Sequence, residues 1–205
     1  VVTGVRGAGG GAPVTLAITG ASGAPYAVRL LEALNAAGVP VRLIISSTGW
    51  RLLREEEGID GEAELRQRTG DWSQVTLYDD ADRGGTPASG SAPSRGMVIC
   101  PCSMGTLASV AQGVSRSLIE RAADVCLKER RLLILVPRET PYSMIHLENM
   151  LRLTRAGALI LPASPGFYHR PSTVGELVDF VVGRILDHLG VAHELTPRWQ
   201  SGEMD

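Results

Sequence analysis

Five times along this chain, a short apolar run stops abruptly at a loop of small, hydroxyl-bearing or proline-rich residues. The loops read GASG from Gly20, SST from Ser46, PCSMGT from Pro101, PRET from Pro137 and PASPGFY from Pro162. The runs before them lie at 14–19, 41–45, 97–100, 132–136 and 158–161, and a briefer one lies at 75–78. Runs this short and this aliphatic suit strands buried on both faces of a parallel sheet. Stretches with apolar residues at helical spacing separate them, so the order predicts an α/β fold with helices on both faces of one sheet. Ligands of open parallel sheets sit beyond the carboxyl ends of the strands. That rule gathers the five loops at one rim and makes their coincidence there the main sign of a binding site.

The helical stretches are equally plain. Ala27, Leu30, Leu31 and Leu34 form one apolar face, closed by Gly38. Further helices are expected over 50–57, through Leu107, Val110 and Ala111, over 118–131 with a basic end at Lys128, Arg130 and Arg131, over 144–155 and over 176–189. Residues 58–70 are polar, without clear periodicity. Residues 79–95 read as a long loop around Ser89-Gly90-Ser91, a length that is uncommon in a compact domain unless the loop binds something. The Gly-rich opening, residues 1–13, lacks the apolar stretch of a signal peptide and reads as a flexible leader. Residues 14–190 are expected to form the single domain, and 191–205 a polar tail.

The first loop has the makings of a phosphate cradle. Pro25 suits the first turn of a helix, and backbone N–H groups of GASG then point at one spot with the Ser22 hydroxyl. The motif is shorter than a full GxGxxG, and a ligand-free tight turn explains it equally well. Net charge is -2, so there is no electrostatic case for nucleic acid. No apolar run is long enough to span a bilayer. Three cysteines without a framework spacing fit a reducing, cytoplasmic setting. Cys100 and Cys102 have no second pair and no His at zinc-site spacing, so they read as packing residues and no metal site is expected.

Several polar residues stand out against this frame. Ser103 and Thr106 lie at a strand-to-helix junction, where they cap a helix, contact a ligand, or both. Arg138 and Glu139 follow the most apolar strand directly; opposite charges there form a structural ion pair or meet a ligand. Arg184 follows Leu177, Phe180 and Val181 at helical spacing, so it is expected on the apolar face of the last helix, where a guanidinium needs an anion such as a substrate phosphate. Tyr168, in a Pro/Gly-rich loop, is placed to cover a ligand, though an ordinary packed aromatic is the plainer reading. Lys128, in a KERR run, reads first as a solvated charge.

Together, ITGASGAPYAVRLLEAL, GMVICPCSMGTLA, RAADVCLKERRLLILVPRETP and PGFYHRP closely resemble the UbiX-like flavin prenyltransferases, from about residue 14 to about residue 189. The resemblance implies a Rossmann-like or flavodoxin-like three-layer sandwich and a homo-oligomer, a dodecamer built from trimers. It implies transfer of a dimethylallyl group from dimethylallyl phosphate to N5 and C6 of reduced FMN. FMN is then a substrate, and the prenylated FMN serves UbiD-type decarboxylases. The FMN contacts it implies are Gly20, Ala21, Ser22, Ser46, Ser89, Ser103, Met104, Gly105, Thr106 and Arg138. Tyr168, Arg184 and Lys128 would meet the prenyl phosphate, and Lys128, Glu139 and Ser22 would take part in the chemistry. The Gly-rich leader, Ala92 after the SGS loop and Leu132 after KERR depart from the family pattern.

Three other functions compete. Flavin-containing cysteine decarboxylases need a histidine in the first third of the chain, and here none precedes His146. A non-catalytic FMN-binding oligomer leaves Arg184, Tyr168 and Glu139 unexplained. A nicotinamide dehydrogenase lacks its GxGxxG and its acidic residue after the second strand.

Overall fold

The structure, a computed structural model, describes residues 11–196. Residues 1–10 of the expected leader and 197–205 of the expected tail lie outside the described residues.

The strands are β1 (Val14–Ile18), β2 (Val41–Ile45), β3 (Val75–Asp79), β4 (Gly96–Cys102), β5 (Leu133–Pro137) and β6 (Leu159–Ile160). They form one parallel sheet in the order β3-β2-β1-β4-β5-β6. The chain winds outward from β1 to β3, crosses back to β4 beside β1, and winds outward again. The sheet is therefore doubly wound, and its topological switch point lies between β1 and β4, where such sheets bind ligands.

Seven helices are seen among the described residues: α1 (Ala24–Ala36), α2 (Ser47–Glu57), α3 (Glu62–Thr69), α4 (Met104–Ala111), α5 (Leu118–Lys128), α6 (Met144–Ala156) and α7 (Val174–Leu189). Strand side chains alternate between two cores. Leu16, Ile18, Leu43 and Val98 pack with Leu30 and Leu34 of α1 and Val182 and Ile185 of α7. Ala17, Ile44, Met97 and Ile99 pack with Leu107 of α4, Ala122 of α5 and Leu153 of α6. Each fully buried Leu or Ile contributes about 1.5–3 kcal/mol relative to exposure, which accounts for the near-continuous apolar strands. No helix among the described residues is long and apolar enough to cross a membrane.

Several boundaries differ from the sequence-based expectations, each for a local reason. The segment 58–70, which showed no clear periodicity, contains α3; only Leu65 and Thr69 of its eight residues are buried, too few to show a period. The second helix begins earlier than expected because Ser46 caps it, accepting the Gly49 N–H at 3.0 Å. The fifth helix ends at Lys128, because Arg130 adopts φ +56° and the Arg131 N–H returns to the Cys126 carbonyl at 2.8 Å. The last helix starts at Val174, capped by Thr173. Within the long loop 79–95, Thr86–Ala88 forms a 3-10 turn.

Candidate active site

At the switch point, the loops after β1 and β4 are stitched together by one buried hydroxyl. Thr19 Oγ1 donates to the Pro101 carbonyl at 2.8 Å and accepts the Ser103 N–H at 2.9 Å, while the Thr19 N–H also donates to Pro101 at 3.3 Å. Pro101 follows a cis peptide. The strand then runs directly into α4, where Ser103 Oγ accepts the Thr106 N–H at 3.2 Å and lies 3.0 Å from the Thr106 hydroxyl. Ser103 is thus the helix cap that its residue type suggested. Only the Ser103 hydroxyl, at 4.0 Å, would approach a side chain added at Gly105, so the first turn of α4 faces open space.

The loop after β2 closes over the same place. A Cβ on Gly20 would lie 2.6 Å from Thr48 Cβ, so only glycine admits the first turn of α2 above GASG. Ser46 Oγ and Thr48 Oγ1 are 3.1 Å apart. From the far side, Arg138 at the end of β5 donates through Nε to the Ser22 carbonyl at 3.1 Å. Gly20, Ala21, Ser22, Ser46, Ser103, Met104, Gly105, Thr106 and Arg138 therefore belong to loops that meet at one crevice. Glu139 follows at the same strand end, where its carboxylate accepts the Thr140 N–H at 3.0 Å. Arg138 and Glu139 thus bond to different neighbours.

The cradle at α1 differs from the expectation. The N–H groups of Gly23 and Ala24 are not open to a phosphate: Glu56, near the end of α2, accepts both at 2.9 and 2.8 Å. Partial burial pushes the Glu56 carboxyl up. The Ser22 hydroxyl, the two N–H groups and the Arg138 guanidinium outweigh that and hold it below the usual carboxylate value. Glu56 is a site residue that sequence reasoning missed. It sits in an ordinary EEE run, and only the distance between α2 and GASG reveals it. Thr19 was missed as well, because a Thr closing an apolar strand looks like part of the strand.

Ser89 and Lys128 do not join this crevice within one chain. Ser89 precedes β4 and Lys128 ends α5, so both lie at the amino-terminal edge of the parallel sheet, opposite the carboxyl-end loops. There, Lys128 pairs with Glu129, Arg131 donates to the Gly90 carbonyl, and the Ser89 and Ser91 hydroxyls are 3.1 Å apart. These two residues lie apart from the five loops that form the rim. The expectation for Arg184 is corrected. It is exposed and pairs with Asp187 at 3.2 Å, while Val178, Val181, Val182, Ile185, Leu186 and Leu189 carry the buried face of α7. Of the three residues used to place it, Val181 is buried but Leu177 and Phe180 lie on the half-buried flank. Tyr168 is exposed and packs edge-on to Phe180, one turn before Arg184, with ring centroids 5.8 Å apart.

The cysteines are buried and free. Burial pushes the Cys102 thiol up to about 12 and that of Cys126 up to about 11. Burial raises Cys100 as well, helped by neighbouring Cys102. None is poised as a thiolate nucleophile. A hollow of about 830 Å³ lies along the β3 edge, between Trp50, Tyr78 and Arg116, apart from the switch point.

A doubly wound sheet with a glycine- and hydroxyl-lined crevice at its switch point defines a Rossmann-like ligand-binding protein. Comparison with known proteins narrows this class. Residues 6–186 match the Flavoprotein family model. The flavin prenyltransferase UbiX of Halalkalibacterium halodurans is 50% identical over 190 residues, covering 90% of this chain and 92% of its own. A crystal structure of AnUbiX in complex with FMN and dimethylallyl pyrophosphate superposes with a TM-score of 0.86 at 38% identity, covering 94% of this chain and 100% of that one. A dodecameric FMN-dependent UbiX-like decarboxylase from Escherichia coli O157:H7 superposes with a TM-score of 0.85 at 40% identity, covering 92% and 100%. This chain belongs to the UbiX-like flavin prenyltransferase family.

Proposed function

We propose that the protein joins the dimethylallyl group of dimethylallyl phosphate to reduced FMN, with residues 14–190 as the catalytic unit. Similarity to UbiX at 50% identity over 90% of the chain, with the GASG, SST, PCSMGT and PRET loops at one crevice, carries this reading. FMN is the acceptor, bound at the switch point by Gly20, Ala21, Ser22, Ser46, Ser103, Met104, Gly105, Thr106 and Arg138. The donor's C–O bond breaks, its carbon bonds to flavin N5, and ring closure at C6 follows. Departure of the phosphate builds negative charge, which Arg138, Arg184 and Lys128 stabilise with Tyr168 as hydrogen-bond donor. Glu139 and Ser22 handle protons during ring closure, with Glu56 beside Ser22.

Ser89 and Lys128 reach this chemistry from a neighbouring copy. They lie at the opposite sheet edge of their own chain, so only a second chain brings such an edge to the crevice. The surface of α6 supports an oligomer: Met144, Ile145, Leu147 and Leu151 are 70, 67, 48 and 49% exposed. Contiguous apolar exposure of this kind marks interaction surfaces. A dodecamer like the Escherichia coli relative is the assembly we favour. The prenylated flavin is destined for a UbiD-type decarboxylase, and a cytoplasmic setting suits the free cysteines.

The test mixes the protein, reduced FMN and dimethylallyl phosphate without oxygen and weighs the flavin by mass spectrometry. A gain of one dimethylallyl unit supports the reading; an unchanged flavin mass overturns it.

A further inference from the structure

His169 follows Tyr168 in the loop between β6 and α7, and its ring lies flat on Phe180 of α7, with centroids 5.5 Å apart and planes 3° apart. Tyr168 stands edge-on to both rings, at 5.6 Å and 77° from His169 and 5.8 Å and 78° from Phe180. These are favourable aromatic geometries. Two backbone features serve the cluster. A Cβ on Gly166 would come within 3.0 Å of Tyr168 and 3.1 Å of Phe180, so glycine lets the rings close. Arg170 adopts φ +54° and donates its N–H to the Phe167 carbonyl at 2.9 Å, a left-handed residue closing a tight turn around Tyr168 and His169.

Both imidazole nitrogens of His169 are buried and make no hydrogen bond. A polar ring in that position gives up hydrogen bonding and keeps only its flat shape. Arg184 lies one helical turn beyond Phe180, so the plate that fixes Tyr168 on Phe180 also fixes it relative to Arg184.

We infer that His169 is a positioning residue: stacked on Phe180, it holds Tyr168 in the orientation that meets the donor phosphate beside Arg184. This rests on the reading of Tyr168 and Arg184 as donor contacts. It assigns His169 no proton transfer and no contact with substrate. Tyr168 is exposed on a surface loop, and the edge contact with His169 is one of the ring contacts that narrow the rotamers its side chain samples before the donor binds.

The test compares His169→Ala, which removes the plate, with His169→Phe, which keeps a flat ring without nitrogen. In His169→Ala, the KM for dimethylallyl phosphate is expected to rise tenfold or more with FMN affinity unchanged. His169→Phe is expected to stay within about threefold of the parent, as stacking on Phe180 survives. In a Tyr168→Phe background, His169→Ala should add less than threefold, because the two act through one group. Equal damage from Phe and Ala, or effects that multiply in the double variant, would overturn the inference. A readout without turnover separates it from the reading of the site: the protein carrying 3-fluorotyrosine, its Tyr168 signal assigned by Tyr168→Phe. That 19F signal should move towards the free amino acid in His169→Ala and stay in place in His169→Phe. An unmoved signal in His169→Ala sinks the positioning role even if the enzyme prenylates FMN. A moved signal with no prenylation by the parent protein keeps the brace and removes the donor reading.

Discussion

Arg138 Nε and the Ser22 carbonyl meet at 3.1 Å across 116 positions of sequence. That bond makes the loops after β1 and β5 one unit, and Glu56 adds a third element by holding Gly23 and Ala24. The crevice is a lattice of loop-to-loop bonds in which few groups belong to a single loop. Substitutions at its joints should therefore act on flavin binding and on stability together.

Thr19 is the clearest joint. It is 2% exposed, and its hydroxyl serves both Pro101 and Ser103. Thr19→Val keeps the shape and the backbone bond from residue 19 to the Pro101 carbonyl, but leaves the Ser103 N–H unpaired, at about 1–3 kcal/mol. We expect urea denaturation to show a loss of about 1–3 kcal/mol, with FMN affinity weakened at least tenfold. Thr19→Ser keeps the hydroxyl and should retain most of both. Equal stability in the Val variant would mean that the two loops are held independently.

Glu56 predicts a pH dependence. Its carboxyl is held below the ordinary value of 4.5 in the folded chain, so folding favours the ionised form. That contribution is complete above the unfolded value and fades as pH falls through the folded one. The stability difference between the protein and Glu56→Gln should be constant near neutral pH and shrink on acidification below about 4.5. Thermal melts from pH 7 to pH 3 would show it. A difference that grows with acidity has the wrong sign and would rule this out.

The sequence made the carboxyl-edge loops legible because strand, glycine and cap signals are local. Short apolar runs announced every strand, and the N-cap role of Ser103 follows from residue type, whereas the cap at Ser46 went unread and the second helix was expected three residues late. Glu56 was out of reach because its role depends on how α2 crosses the first loop, which no local pattern records. Arg184 was misplaced because two of the three residues that placed it, Leu177 and Phe180, are only half-buried flank residues, although Val181 is buried. The sheet edge of Lys128 and Ser89 was readable in principle: in a parallel sheet, a residue just before a strand or at the end of a crossover helix lies at the amino edge.

Arg184 separates donor binding from folding. Its guanidinium is exposed and paired only locally, with Asp187. Exposed pairs of this kind contribute about 0–1 kcal/mol, so Arg184→Ala should leave the melting temperature almost unchanged. Turnover at low dimethylallyl phosphate should fall tenfold or more while FMN binding persists. If flavin affinity collapses instead, Arg184 serves the flavin and the donor phosphate must be sought elsewhere.

The opposite-edge positions of Lys128 and Ser22 lead to a test of shared sites. If a site takes its crevice from one chain and its lysine from another, Arg138→Ala and Lys128→Ala chains can rescue each other. Each variant alone is expected to be nearly inactive. In an oligomer co-expressed from equal amounts, half of the crevices carry Arg138, and half of their neighbours supply Lys128, so about a quarter of sites are complete. Activity should recover to about that fraction. It should disappear when Leu147→Glu and Leu151→Glu are added to both chains, because charge on the exposed α6 stripe separates the copies, which sedimentation would show directly. Should the mixed oligomer stay as inactive as its parents, each chain uses its own Lys128, and the amino edge must reach the crevice by a movement within one subunit.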